Sequence, residues 1–337
     1  MSQTSLFDIE KKLEELSSMG DPLEKLSKTI PWERFEKPLA KVFEKERKSN
    51  AGRRPYPYLS MFKVMILQNL YNIADEQMQF QMLDRLTFRR FTGFHGEDTI
   101  PDQKTIWLYR EHLTQSGIIE KLFTMFDNFL ADAGYRAKKG QIVDASFVEV
   151  PRQRNTKDEN DTINKGETPE NWNESKRRQK DMDAAWTKKH NETHFGYKNH
   201  VNVDVQHKMI RAYSVTPASV HDSQELENII DKDSGRKALW GDSAYSSKST
   251  RKKLNRKRIV SHINKKGYRN HPLSKFQQSL NRIRSKVRAR VEHVFARIGQ
   301  MVGGTIRCIG QPRAATRIGI INLVYNMSRF AYLENCR

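Results

Sequence analysis

The constraint that bears hardest on this chain is a change of hydrophobic period near residue 140. Upstream, apolar residues recur at helical spacing: from Ser60 to Ile73, Met61, Val64, Met65, Leu67, Leu70 and Tyr71 share a face. Asp75 is placed to cap a second helix that runs through Phe91, Pro101-Asp102 opens a third, and a fourth runs from about Gly117 to Ala133, ending at Gly134. Downstream, Gln141 to Val150 is short, rich in β-branched residues and bounded by Gly140 and Pro151, which predicts a strand. The order divides the chain into an all-helical region, 1–137, and an α+β or α/β region, 138–337.

Within the second region, Arg152 to about Glu192 is dominated by charged and amide side chains, and the composition predicts a mobile polar loop over 152–192. Tyr197 to Val205 and Met209 to Thr216 read as a hairpin around Gln206-His207-Lys208, followed by a helix from about Asp222 to Ile230. Lys237 to Asp242 and Ile259 to Ile263 are further strands separated by a short basic helix. A long helix from about Leu273 to Ile298 and a closing helix from about Ala314 to Tyr332 complete the chain. Three strands, helix, strand, helix, strand, helix resembles the ribonuclease-H-like fold, a mixed sheet flanked by helices.

Charge is distributed just as unevenly. The formal net charge is +20, and residues 243–333, with 21 lysines and arginines against the single acid Glu292, carry all of it. A positive field this concentrated is suited to neutralising phosphates and releasing their counterions, so nucleic acid is the expected partner; the alternative is a solubilising surface. Two cysteines, Cys308 and Cys336, are too few for a disulfide framework or a cysteine zinc site. Acids and lysines between Asp8 and Glu15 interrupt any signal peptide, and no apolar stretch is long enough to span a bilayer. The expected setting is a reducing cytoplasm.

Three carboxylates stand out against this field. Asp144 interrupts the apolar run Ile142-Val143-Asp144-Ala145, Asp242 ends the strand Trp240-Gly241-Asp242, and Glu292 borders the helical stripe Leu280, Ile283, Val287, Val291, Phe295 and Ile298. If the strands are neighbours and the helix crosses them, the three converge. Phosphodiester cleavage needs such a set to hold two Mg²⁺ ions, about 3.5–4 Å apart, with oxygen ligands. Each acid also has a plainer reading: Asp144 as a turn residue at a strand end, Asp242 as the N-cap of the next helix, Glu292 as the partner of Arg288 one turn back.

At these residues the sequence resembles the insertion-sequence transposases of the insertion-sequence-five group, within the insertion-sequence-four-like DDE superfamily. Ile142-Val143-Asp144-Ala145-Ser146 resembles the setting of the first catalytic aspartate, Gly241-Asp242-Ser243-Ala244-Tyr245 that of the second, and Lys286 to Phe295 the glutamate helix. Phe195 to Val201 and Thr216 to Ser223 resemble two intervening blocks; Arg89 to Phe94 with Pro101-Asp102 and Thr105-Ile106 resembles the helical N-terminal domain, which implies recognition of element ends. The resemblance implies a DNA transposase in which Asp144, Asp242 and Glu292 are catalytic and hold two Mg²⁺ ions, with Mn²⁺ as a substitute. Its partners would be double-stranded terminal inverted repeats and target DNA, bound by a homodimer. Arg288 matches the family's arginine, whereas Ser285 and Gly299 stand where relatives keep Tyr and Lys.

Expected DNA contacts are Arg288, with Arg284 and Arg290 from the same basic ladder, and Lys198 and His200 on a strand beside the site. Trp186, late in the polar loop, would stack on an unpaired base or dock the loop to the domain. Asp204 reads as a hairpin end or an accessory carboxylate, and His221-Asp222 as a helix cap. A helix-turn-helix within residues 60–113 is compatible with the pattern. Two other functions fit similar charge: a decayed transposase that only binds DNA, and a ribonuclease-H-like structure-specific nuclease.

Overall fold

The structure, a computed structural model, describes residues 6–43, 54–95, 98–189, 191–230 and 237–336. It has two compact units, residues 1–123 with 320–337, and residues 124–319. The compact units divide the chain at 123 and group its last residues with the first unit.

The first unit is helical: α1 (Leu6–Ser18), α2 (Pro22–Thr29), α3 (Glu33–Phe43), α4 (Tyr58–Leu70), α5 (Asp75–Asp84), α6 (Leu86–Thr92), α7 (Gln103–Ser116) and the start of α8 (Ile118–Asp132). Its core includes Phe35, Leu39, Phe62, Met65, Phe88 and Phe91, all within 2% of full burial, with Phe35 stacked on Phe62. The helix expected from Asp75 through Phe91 is broken at Arg85, whose extended backbone separates α5 from α6. Asp75 does not cap α5; its carboxylate takes a bidentate pair from Arg110 at 2.6 and 2.8 Å. Asp102 does cap α7, accepting from the Thr105 amide at 2.7 Å. Arg90 reaches the Leu13 carbonyl, Ser17 and Asp21, so this part of the Arg89-Arg90-Phe91 motif ties α1 and α2 to α6.

The second unit carries β1 (Gln141–Glu149), α9 (Lys157–Asn164), α10 (Glu174–Gln179), β2 (Ala185–Lys189), β3 (Glu192–Asp204), β4 (Ile210–Pro217), α11 (Leu226–Ile229), β5 (Ala238–Gly241), α12 (Lys248–Arg256), β6 (Val260–Ile263), α13 (Lys275–Arg288), α14 (Arg290–Val302) and most of the first half of α15 (Gln311–Glu334). Among the described residues the sheet has six strands in the order β2-β3-β1-β5-β6, with β4 on the outer edge of β3 beyond β2. β1 is antiparallel to β3 and parallel to β5, and β5 is parallel to β6. Flanked on both sides, β1 buries its first four residues, which explains its near-continuous apolar sequence. Val143, Leu226, Ile229, Leu239, Tyr245, Leu254 and Ile259 form one core cluster, while α14 packs on β1 and buries Val291, Val294 and Ile298.

Two expectations change here. The polar segment 152–192 is not one loop: it folds into α9, α10 and β2. A Thr156–Glu159 capping box starts α9, and buried Glu159 accepts from the Trp172 indole at 2.7 Å and from Lys176 at 2.5 Å. Hydrogen bonds and one buried Trp hold it, rather than an apolar stripe. The long helix is likewise two, α13 and α14, joined at Ala289.

Candidate active site

The parallel pairing of β1 with β5 sets Ile142 opposite Trp240. Two residues past that pair lie Asp144, still within β1, and Asp242, one residue beyond the end of β5, so the register itself brings the carboxylates side by side at the C-terminal edge of β5, where open sheets bind ligands. Asp144 is mid-strand and 7% exposed, not at a turn. One of its oxygens accepts from the Ala145 amide at 2.9 Å and the other from Arg288 at 2.6 Å. Asp242 does cap the single 3-10 turn Ser243–Tyr245, accepting from the Ala244 amide at 2.8 Å. Capping and proximity to Asp144 are compatible, because one carboxylate has two oxygens.

Burial is the largest influence on Asp144 and lifts its carboxyl to about 6; the Arg288 guanidinium opposes the rise and the Asp242 charge adds to it. Beside the pair, the Tyr245 hydroxyl is fully buried without a hydrogen-bond partner among the described residues. Burial, and then the charges of Asp222, Asp144, Asp242 and Glu225, push its ionisation well above the usual range. Asp222 is held by Lys198 at 2.8 Å, and His221 caps the short turn that carries it. Sequence reasoning missed both Tyr245 and the Lys198–Asp222 pair, since nothing local in the sequence reveals a contact between residues so far apart.

Glu292 is in the first turn of α14 and exposed, and among the described residues no group of three or more His, Cys, Asp or Glu side chains is arranged to hold a metal. The break at Ala289 intervenes between it and Arg288, which turns to Asp144 instead. His200 and Lys198 do not present a face to DNA. His200 is fully buried, its Nε2 is 2.9 Å from Thr216, and burial lowers its pKa to about 4; Lys198 is 9% exposed. Their face of β3 is covered by the segment 220–229: Lys198 donates to the Val220 carbonyl and to Asp222, and Asn202 on the same face donates to the Ile229 carbonyl. Arg290 donates to the Val205 carbonyl at 2.8 Å and Arg284 to the Ile263 carbonyl at 2.9 Å, each with donors to spare. Trp186 sits on β2, packed against Phe195 with Arg152 over its ring, and remains 41% exposed. Asp204 is a hairpin end: it is fully buried and accepts from the His207 amide.

The strand order and the paired aspartates define a ribonuclease-H-like domain that follows a helical region. The family described as Transposase DDE domain matches residues 128–327, more than half of the chain, and the chain belongs to that family. The family described as Transposase domain (DUF772) matches residues 11–112. Among solved structures, a piggyBac transposase synaptic complex with hairpin DNA is similar at 11% identity, over 94% of this chain and 75% of that one, with a TM-score of 0.47. The DDE transposase family uses divalent metal ions. The aspartate pair fits such an ion in its donor chemistry. It offers hard oxygens only, and its charge already draws a cation, the Arg288 guanidinium. No helix is long and apolar enough to cross a membrane among the described residues.

Proposed function

We propose that this chain is the transposase of an insertion sequence of the insertion-sequence-five group, which binds terminal inverted repeats as a homodimer and cuts and rejoins DNA strands. The observation that carries the reading is the juxtaposition of Asp144 and Asp242 by strand register, in a chain of the DDE family. Asp144 and Asp242 would hold Mg²⁺, with Glu292 completing the set once DNA draws the α13–α14 segment inward. When bound, the ions supply Lewis-acid polarisation of the scissile phosphate and neutralise charge that develops on the attacking and leaving oxygens.

The chain's own groups do the rest. Arg288 neutralises Asp144 in the metal-free protein, and its Nε is buried without an acceptor among the described residues. A phosphate oxygen satisfies that donor and matches the guanidinium fork, so Arg288 would pass from Asp144 to the substrate as a cation takes its place. Tyr245 and the Lys198–Asp222 pair support the wall behind the aspartates. The basic stretch 243–333 holds backbone phosphates of donor and target. Water then cleaves the phosphodiester at the element end, and the freed 3′-hydroxyl attacks target DNA.

Strand cleavage and strand transfer on the element's own terminal repeats, with Mg²⁺ or Mn²⁺, test the reading. Asp242→Ala and Glu292→Gln are expected to lose at least about a hundredfold in rate, the scale of several kcal/mol of metal-assisted stabilisation. Full activity in either variant overturns that residue's assignment. Cleavage without transfer of a pre-cleaved end identifies a nuclease. The exposed position of Glu292 favours a second reading, a DNA-binding regulator, which predicts salt-sensitive binding and no nicking in the wild type.

A further inference from the structure

We propose that the cavity walled by α12, β6 and α13 is a phosphate-binding subsite, and that its ligand is a phosphodiester of the DNA strand led past the aspartate pair. The proposal rests on the reading above, that this chain acts on DNA. The cavity has a volume of about 520 Å³, enough for a nucleotide-sized group. Arg251, Arg258, Lys265 and Arg284 line it, with hydroxyls from Ser247 and Ser261, and no acidic side chain is among the lining residues. None of the four cations has a carboxylate partner among the described residues; the nearby Lys253, which does not line the cavity, has one in Glu227. Arg284 is anchored through the Ile263 carbonyl, which fixes its guanidinium at the cavity wall.

An anion is what such a lining recognises. A cation entering would meet four like charges, and an apolar group would desolvate them without return. Arginine forks and hydroxyls favour phosphate, which offers several acceptor oxygens to several donors. Location ties the subsite to the aspartates. Tyr245, Ser246 and Ser247 belong to its wall, and a single 3-10 turn separates Asp242 from Tyr245. At about 2 Å per residue that turn spans about 6 Å, or about two axial nucleotide steps.

Arg258 makes the idea separable from folding. It has a φ of 56° just past the end of α12, where the Ile259 amide returns to the Leu254 carbonyl at 2.9 Å. Glycine is the unstrained residue there, and an arginine is uncommon. Arg258→Gly therefore removes a cavity charge while relieving backbone strain.

The experiment measures binding of a fluorescein-labelled terminal-repeat duplex by the full chain between about 50 and 200 mM salt. It compares the wild type with Arg258→Gly and with Arg251→Ala/Arg258→Gly. Thermal melting of Arg258→Gly is expected at or above the wild-type temperature. The log–log salt slope of the double variant is expected to be shallower by about 0.9 for each phosphate that it no longer neutralises. A wild-type slope in the double variant overturns the subsite while leaving the DNA reading intact. A wild type with no salt-dependent DNA binding overturns both. Inorganic pyrophosphate that raises the melting temperature of the wild type and not of the double variant, with unchanged DNA slopes, assigns the cavity to free phosphates and overturns its assignment to DNA.

Discussion

Asp144 is under opposing pressures that set a pH signature. Its carboxyl is lifted from 3.8 to about 6, chiefly by burial, so between those values the folded state binds a proton that the unfolded state has released. Stability attributed to Asp144 is therefore greatest below about pH 4 and is lost as pH rises to about 6, by about 3 kcal/mol in metal-free protein. His200 acts in the other direction. Burial lowers it from 6.5 to about 4, so the unfolded state binds the extra proton and stability rises across that window. The two contributions have opposite signs and oppose one another between about pH 4 and 6. Urea denaturation of metal-free Asp144→Asn is expected to show the His200 dependence uncovered: greater stability than the wild type at pH 7, and a difference that disappears near pH 4. Divalent metal is expected to reverse the order at pH 7, because only the wild type gains from binding it.

At the scale of elements, two glycines respond in opposite ways to the same substitution. Gly196 opens the part of β3 that pairs with β1, at φ 145°, and a Cβ there would lie 2.4 Å from the Val148 carbonyl oxygen of β1, a backbone atom with nowhere to move. Gly196→Ala is expected to cost about 2–4 kcal/mol, combining backbone strain with a displaced strand. Gly299 lies in α14 with open space around the position of a Cβ. Gly299→Ala is expected to stabilise the protein by about 0.5–1 kcal/mol in the same denaturation assay, since alanine is the better helix former.

These elements also show what sequence can reveal. The β1 strand is legible because its apolar run is bounded by Gly140 and Pro151, and Asp144 stands out against that run. The parallel register that sets Asp242 beside it is a long-range fact with no local signature. The segment 152–192 reads as a loop because its order comes from the Thr156 cap and the buried Glu159–Trp172 bond, which a polar composition conceals. The α5–α6 break at Arg85 and the joint at Ala289 carry neither Gly nor Pro, so continuous helical spacing hides them. His200 looks available because alternation in a strand predicts two faces; β3 is covered by neighbours that alternation cannot supply.

For the whole molecule, the first unit is discontinuous in sequence: residues 1–123 are completed by residues 320–337. Ile320, Ile321, Leu323, Val324 and Met327 in that last segment are fully buried. At about 1.5–3 kcal/mol for each side chain, their burial contributes on the order of 10 kcal/mol, as much as the net stability of a typical domain. Residues 1–123 alone are expected to lack a cooperative thermal transition by circular dichroism. Adding residues 320–337 as a peptide is expected to restore one; a full transition without the peptide would show that the segment is dispensable. The charge is arranged differently, with its whole surplus in residues 243–333.

The late return of residues 320–337 to the first unit has a consequence for synthesis. At about 5–20 residues per second, a ribosome that has finished residue 123 needs roughly 10–40 s to reach residue 320. Throughout that interval the helices that emerged first lack their closing partner. The first unit is thus the last to be finished, and its completion registers that the DDE region between its two pieces has already been made.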